Sequence, residues 1–277
     1  MKKKFLLLLF VFCASLTTVA QTTADSLALA SVEWQTKPLQ KGILFRKAVF
    51  ASLYGVPQEV SIFEISSKHH ELDILVHNPK EKTSVAARHA GALAAINGSY
   101  FNMTVGNSVC YLRKDGVVID TTATGVLGTV SNGAILIKKG KLQIIPWKKQ
   151  NEKACKLKQG SILASGPLML LDGKKCDLSA CNQGFVNTKH PRSAVVLTND
   201  NKILFIVVDG RLKGKSEGIN IPELTHMIRI LGGKDALNLD GGGSSTLWSA
   251  ALPDEGIANT PCGSAERQVG NSLCVYK

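Results

Sequence analysis

Three apolar runs in this chain end on a polar residue followed by glycine. AAINGSYFN delivers Asn97 before Gly98, FIVVDGR delivers Asp209 before Gly210 and Arg211, and ALNLDGGGSSTLW delivers Asp240 before three glycines. In sheets crossed by helices, loops beyond strand ends are the usual place for a ligand, so Asn97, Asp209, Arg211 and Asp240 could meet there. Asn-Gly and Asp-Gly are also favoured turn pairs, and any one of them alone reads as a turn. Three together point to a site. Gly241, Gly242 and Gly243 let backbone N–H groups approach an anion, while Ser244, Ser245 and Thr246 add short donors, a combination suited to phosphate or sugar. DGGGSST lacks the lysine of a P-loop, and no Gly-x-Ser-x-Gly nucleophile elbow surrounds Ser244.

Arginine supplies paired donors that match two phosphate oxygens. Arg192 in KHPRSAVV and Arg211 are therefore candidates to clamp a phosphodiester, and His190 lies two residues before Arg192. Asp209 and Asp240 are the candidates for acid/base work. Glu223 follows Asn220 by three residues in NIPE, a capping-box spacing that explains it structurally. No His-Glu-x-x-His occurs, and the sequence requires no cofactor; a hard ion such as calcium would find oxygen ligands in Asp240 and nearby carbonyls.

The elements that must carry these residues are mostly strands. Alternation in EVSIFEIS and ELDILVHN predicts two of them, and GAILIKKGKLQII and SAVVLTNDNKILFIVV predict hairpins. EKTSVAARHAGALAAI has the composition of a packing helix. PELTHMIRILGG predicts another, with Pro222 in its first turn and Gly232 and Gly233 ending it, and the flanking strands would make a β-α-β unit. The expected fold is α+β: a single domain with a mixed, largely antiparallel sheet core and a few packed helices.

Residues 1–20, MKKKFLLLLFVFCASLTTVA, have the basic start, short apolar stretch and small-residue end of a secretory signal peptide. Residues 21–40 are expected to be a loosely ordered leader and 41–277 the catalytic domain. Export, to the periplasm, cell surface or medium, follows, with no stable membrane insertion once the signal is removed. The formal charge of the whole chain is +12, and the remainder stays basic without Lys2, Lys3 and Lys4. An anionic partner fits that charge. The lysines of residues 138–158 are not interleaved with aromatics, so nucleic acid is not the expected partner. Six cysteines remain beyond Cys13, an even number compatible with disulfides, the nearest pairs being Cys176 with Cys181 and Cys262 with Cys274.

INGSYFN, HPRSAVV, VVDGR, SEGINIPEL, ALNLDGGGSSTLW and ERQVGNSLCVY, in this order, resemble the phosphodiester glycosidase family, whose bacterial members are often labelled exopolysaccharide-related. The resemblance runs from about residue 60 to the end. It implies hydrolysis of the bond between a sugar's anomeric carbon and a phosphodiester, with N-acetylglucosamine 1-phosphodiester as the family substrate. It also implies a site containing Asn97, Gly98, Arg192, Asp209, Gly210, Arg211, Gly218, Glu223, Asn238, Asp240, Gly241 to Ser245 and Asn271. Asp209, Asp240, Glu223 and Arg192 would be its catalytic set, with acid and nucleophile unassigned, and Ser99 and Tyr100 depart from the family pattern. Cleavage at P–O instead, or non-catalytic binding of anionic glycan, are the alternative functions.

Overall fold

The computed structural model describes residues 23–263 and 265–277. The signal-peptide reading of residues 1–20 lies outside the described residues. An eight-stranded sheet forms the centre. Its order is β1 (Gln35–Gln40), β2 (Ile43–Leu53), β3 (Val56–Ser66), β14 (Lys202–Val208), β13 (Arg192–Thr198), β15 (Gly233–Asn238), β11 (Leu168–Leu171) and β12 (Lys174–Lys175). A four-stranded sheet contains β16 (Leu247–Ser249), β5 (Ala94–Asn97), β17 (Gln268–Tyr276) and β4 (Glu71–Lys82). A five-stranded sheet contains β7 (Val117–Asp120), β6 (Leu112–Lys114), β10 (Ser161–Ser165), β8 (Gly133–Lys138) and β9 (Lys141–Pro146).

The middle strands of the central sheet, β13, β14 and β15, are buried on both faces, which is why ILFIVV reads as a continuous apolar run and not as an alternating one. Side chains along a strand point to opposite faces in turn. Leu204, Ile206 and Val208 accordingly join one core with Leu29, Leu224, Met227 and Ile228. Ile203, Phe205 and Val207 join a second core with Ile74, Ile96, Ile135, Leu163 and Leu273 from the two smaller sheets. One strand thus fastens the helical side to the sheet side. At about 25 cal/mol per Å² of apolar surface removed from water, such double burial is the main force holding the layers together.

The expected hairpins form as β8–β9 and β13–β14. The helix after residue 220 is α6 (Ile221–Ile230), closed at its start by the capping box: Asn220 Oδ1 accepts from the Glu223 N–H at 2.9 Å, and Glu223 Oε2 accepts from the Asn220 N–H at 3.1 Å. The chain passes from β14 through α6 to β15, and these strands run the same way but with β13 between them, antiparallel to both. The parallel neighbours of a β-α-β unit are therefore not formed: β14 and β15 are each paired antiparallel to β13.

Three expectations change. Residues 21–40 are not a loose leader where described: α1 (Thr23–Ser31) buries Leu29 against the core, and β1 extends the central sheet by pairing with β2. Asp25 Oδ1 accepts from the Tyr54 N–H at 2.8 Å, which ties the segment down despite its polar composition. The helix expected over residues 81–96 is only α2 (Thr83–His89), because Gly91 at φ 68° turns the chain and Leu93 donates to Val275, committing residues 94–97 to β5. The remaining helices, α3 (Val126–Val130), α4 (Lys149–Ala154) and α5 (Gln183–Asn187), are short connectors. The expected disulfides are absent among the described residues, where all six cysteines are free. Cys274 is buried inside β17, with its sulfur beside Ser272 Oγ, and Cys110 meets Ser131 Oγ at 3.0 Å. Both behave as small core side chains.

Candidate active site

Strand direction brings the motifs together. Because β13 runs against β14 and β15, its first residue lies beside their ends: Arg192 is paired with Val208, and Ala194 with Asn238. The segments carrying Asp209 and Asp240 therefore leave the sheet on either side of Arg192. Asn97, at the end of β5, ties the four-stranded sheet to this edge. Its Nδ2 donates to the Asp240 carbonyl at 2.6 Å, while its Oδ1 accepts from Ser193 Oγ at 2.7 Å and from the Thr246 N–H at 3.1 Å. The Asp240 N–H donates to the Gly98 carbonyl at 3.0 Å.

Backbones here approach more closely than any side chain permits. A β-carbon at Gly98 would fall 2.0 Å from Asn271 Oδ1, and one at Gly210 would fall 2.7 Å from the Gly218 Cα. The glycine triad has a division of labour. A β-carbon at Gly241 would meet the Pro191 carbonyl at 2.5 Å, one at Gly242 would meet Arg211 Nη1 at 3.3 Å, and one at Gly243 would meet Arg267 Nη2 at 2.3 Å. The three glycines thus admit a neighbouring strand end and then seat two guanidinium groups, while the Gly242 N–H is spent on the Pro191 carbonyl at 2.8 Å.

A cleft of about 200 Å³ opens above this loop, lined by Tyr100, Leu127, Phe185, His190, Arg192, Arg211, Asp240, Gly241, Gly242, Gly243 and Arg267. Asp240 is its one carboxylate. Its side chain keeps some surface on the cleft yet is surrounded by protein, and burial pushes its pKa up to about 6. Ser244, Arg267, the Gly241 amide and Arg192 oppose that rise. Ser244 Oγ eases the carboxyl downward without reaching hydrogen-bond geometry, and it has no partner among the described residues. Ser244 is fully buried behind the loop and does not line the cleft, which removes it as a nucleophile.

Arg192 is 2% exposed, so its charge needs a cage. Nη2 donates to the Phe185 and Thr188 carbonyls at 2.8 and 3.0 Å, Nε donates to the Ile219 carbonyl at 3.3 Å, and the guanidinium lies 4.6 Å from the Phe185 ring centre. Burial lowers its pKa to about 10, which still leaves it charged at neutral pH. Nη1 has no hydrogen-bond partner among the described residues and is the atom left for a ligand. Arg211 is exposed, held at φ 59°, and reaches His190 Nδ1 at 3.2 Å.

Of the residues expected in the site, Arg192, Arg211, Asp240 and Gly241 to Gly243 line the cleft. Asn97, Gly98, Asn238, Asn271, Gly210, Gly218, Ser244 and Ser245 form the layer behind it. Asn238 Nδ2 donates to Tyr100 Oη at 3.0 Å and to the Gly166 carbonyl at 2.8 Å, and Asn271 Oδ1 accepts from the Ser99 N–H at 2.7 Å. Asp209 and Glu223 are turned away. Asp209 is buried with Oδ1 accepting from Asn259 Nδ2 at 3.0 Å and Oδ2 from the Thr260 N–H at 2.9 Å, and burial raises its pKa to about 6. Asn259 also donates to the Ser245 carbonyl at 3.2 Å, so Asp209 acts on the glycine loop through Asn259. Glu223 closes the α6 capping box and takes both its oxygens to Lys189 Nζ at 2.6 Å.

A phosphodiester glycosidase family model matches residues 90–276, the span that holds every cleft residue. The chain belongs to the phosphodiester glycosidase family. It is 23% identical over 205 residues to the mouse N-acetylglucosamine-1-phosphodiester alpha-N-acetylglucosaminidase, covering 68% of this chain and 38% of that protein. It is 25% identical over 263 residues to an uncharacterized SPbeta prophage-derived protein of Bacillus subtilis, covering 93% of this chain and 38% of that one. The chain thus spans well under half the length of both relatives. The fold is shared with the zebrafish N-acetylglucosamine-1-phosphodiester alpha-N-acetylglucosaminidase catalytic domain, solved auto-inhibited by its pro-peptide, at TM-score 0.67 and 19% identity over 88% of each chain.

Arg267 is the charged cleft residue that the sequence reading missed, alongside the apolar Leu127 and Phe185. Arg267 stands inside ERQVGNS, and the signal that could have found it is a cation at the start of a strand already carrying Asn271. Its neighbour Glu266 accepts from the Ser84 N–H at 2.9 Å and from Ser84 Oγ, which anchors the turn to α2.

Proposed function

We propose that the protein is an exported glycosidase that hydrolyses the anomeric C–O bond of a sugar 1-phosphodiester in cell-envelope or extracellular glycan metabolism, with N-acetylglucosamine as the first sugar to test. The carrying observation is the charge content of the cleft: one carboxylate, Asp240, beside three guanidinium groups, Arg192, Arg211 and Arg267. Heterolysis of C–O builds positive charge on the sugar ring and an additional negative charge on the departing phosphate. A cleft that offers both a carboxylate and guanidinium groups can stabilise both ends of that transition state.

The phosphate is a weakly basic leaving group, so arginine donors do what a general acid does for an ordinary glycoside. Asp240, ionised above about pH 6, faces the sugar and supports the oxocarbenium-like centre. Tyr100 and Phe185 supply apolar wall; the Tyr100 hydroxyl donates to Gly166 and so is not free for acid chemistry. Calcium does not fit beside Asp240, because a single carboxylate ringed by three cations is a poor ligand set for a divalent ion. Export rests on the signal pattern of residues 1–20, and among the described residues no helix is long and apolar enough to cross a membrane.

Hydrolysis in ¹⁸O-water of the methyl phosphodiester of α-N-acetylglucosamine 1-phosphate tests the reading. Label in the sugar is the expected result. Label in the phosphate would establish P–O cleavage and overturn it.

A further inference from the structure

His190 lines the cleft, yet the pairing of carboxylate and guanidinium groups leaves it without a task. Its Nδ1 lies 3.2 Å from Arg211 Nη2. A guanidinium has donors only, so Nδ1 must be the acceptor and the ring proton must stand on Nε2. That N–H has no hydrogen-bond partner among the described residues. The main chain beneath the ring is fixed on both sides. The His190 N–H and carbonyl pair with Ile219 at 3.2 and 3.0 Å, and the next carbonyl, that of Pro191, accepts from the Gly242 N–H at 2.8 Å. A free donor on a ring held by its own backbone and by Arg211 is preorganised for an anion.

We propose that His190, held by Arg211 as the Nε2–H tautomer, is a catalytic residue that donates a hydrogen bond to the departing phosphate of the sugar 1-phosphodiester. This rests on the glycosidase reading. As the C–O bond breaks, its electron pair passes to the bridging oxygen, and the phosphate oxygens gain the charge that Nε2–H and the arginines receive. The proton on Nε2 stays where it is. Water adds its oxygen to the anomeric carbon and releases a proton to Asp240 or solvent, leaving free sugar and a phosphomonoester. The charged groups lining the cleft with the ring are Arg192, Arg211, Arg267 and Asp240, so three cations oppose addition of a second proton. Burial, then Arg192 and Arg211, lower the pKa of the ring accordingly.

Two substitutions separate the ring nitrogens. His190→Asn keeps an acceptor near Nδ1 for Arg211 and removes the donor at Nε2, whereas His190→Gln carries an amide N–H toward the Nε2 position. Each is assayed on the methyl phosphodiester above and on N-acetyl-α-glucosaminyl fluoride, whose leaving group has no phosphate oxygens. The expected result is a loss of about tenfold to a hundredfold in kcat on the phosphodiester for His190→Asn, largely recovered in His190→Gln, with a much smaller loss on the fluoride. Equal losses on both substrates, or a Gln variant as slow as the Asn variant, overturn the donor role. Imidazole ¹⁵N spectra of the whole protein supply a readout that does not depend on turnover. The proton is expected on Nε2, with its resonance moving when inorganic phosphate is added and the same phosphate binding more weakly to His190→Asn. A proton on Nδ1, or no response to phosphate, overturns the inference even if the isotope experiment has upheld the glycosidase. Phosphate label in that experiment overturns the glycosidase instead.

Discussion

Asp240 is costly to the folded protein in the form in which it is used. Its pKa rises to about 6 from an ordinary value of 3.8, so the native state holds the proton more tightly than the unfolded chain does. Stability contributed by this group is therefore greatest at acid pH and is lost as the carboxyl ionises between about pH 4 and pH 6, by up to about 3 kcal/mol. Asp240→Asn removes that cost. Its melting temperature is expected to exceed the wild-type value at pH 7 and to match it at pH 4, while turnover collapses. In the wild-type enzyme kcat/KM is expected to rise tenfold per pH unit up to about pH 6 and then level, the behaviour of a group that works ionised. A calorimetric series with a parallel rate profile checks both, and an Asn variant that melts lower at pH 7 removes the idea of a strained carboxylate. Residue types alone announced Asp240, Arg192, Arg211 and the glycines, because each sits at the edge of an apolar run. They could not separate Asp240 from Asp209, since the sequence grammar of the two is the same and only the fold shows that Asp209 bonds to Asn259 and Thr260. Arg267 escaped for the opposite reason: no apolar run ends on it, and it reaches the cleft from the turn before β17.

The elements were legible where the pattern was local. Both hairpins and α6 follow from alternation, turn residues and a capping box, all of which act within a few positions. The failures were long-range. β1 looks polar because it is the outermost strand of the central sheet, and the alanine-rich run after Glu81 is divided between α2 and β5 by one left-handed glycine and by hydrogen bonds to β17, nearly two hundred positions on. Glu223 is the case in which element and site compete for one side chain. Its carboxylate is 4% exposed, caps α6 and pairs with Lys189, and it does not line the cleft. Glu223→Ala is expected to cost about 2–4 kcal/mol, from the lost cap and the uncompensated Lys189 partner, while kcat stays within about threefold at temperatures where the variant is folded. Chemical denaturation and steady-state kinetics on the same sample decide it. A thousandfold loss of kcat in folded protein would return Glu223 to the reacting groups.

At the scale of the whole molecule, two cores on either side of the doubly buried middle strands of one sheet hold the strand ends in place, and the surface carries a strong positive excess. The formal charge of the whole chain is +12, and Lys148 at the N-cap of α4, with Lys149, Lys153, Lys156 and Lys158 on and after it, are all exposed without a salt bridge among the described residues. This face is connected to the cleft wall. Glu152 of α4 accepts from the Thr122 N–H at 3.3 Å, and the chain continues from Thr122 into α3, whose Leu127 lines the cleft. For an anionic substrate such a field raises the rate of encounter and does little once the substrate is bound. Exposed charges are screened beyond about 10 Å at 0.1 M salt, whereas the buried Arg192 and half-buried Arg267 at the cleft are screened much less. Raising salt from about 0.05 to 0.3 M is therefore expected to lower kcat/KM several-fold with kcat nearly constant. Changing Lys148, Lys149 and Lys153 to Glu is expected to lower kcat/KM at low salt only, so that variant and wild-type curves converge as salt rises. A difference that persists at high salt would mean that these lysines touch the substrate directly, and a kcat that falls with salt would place the screened charges inside the chemical step.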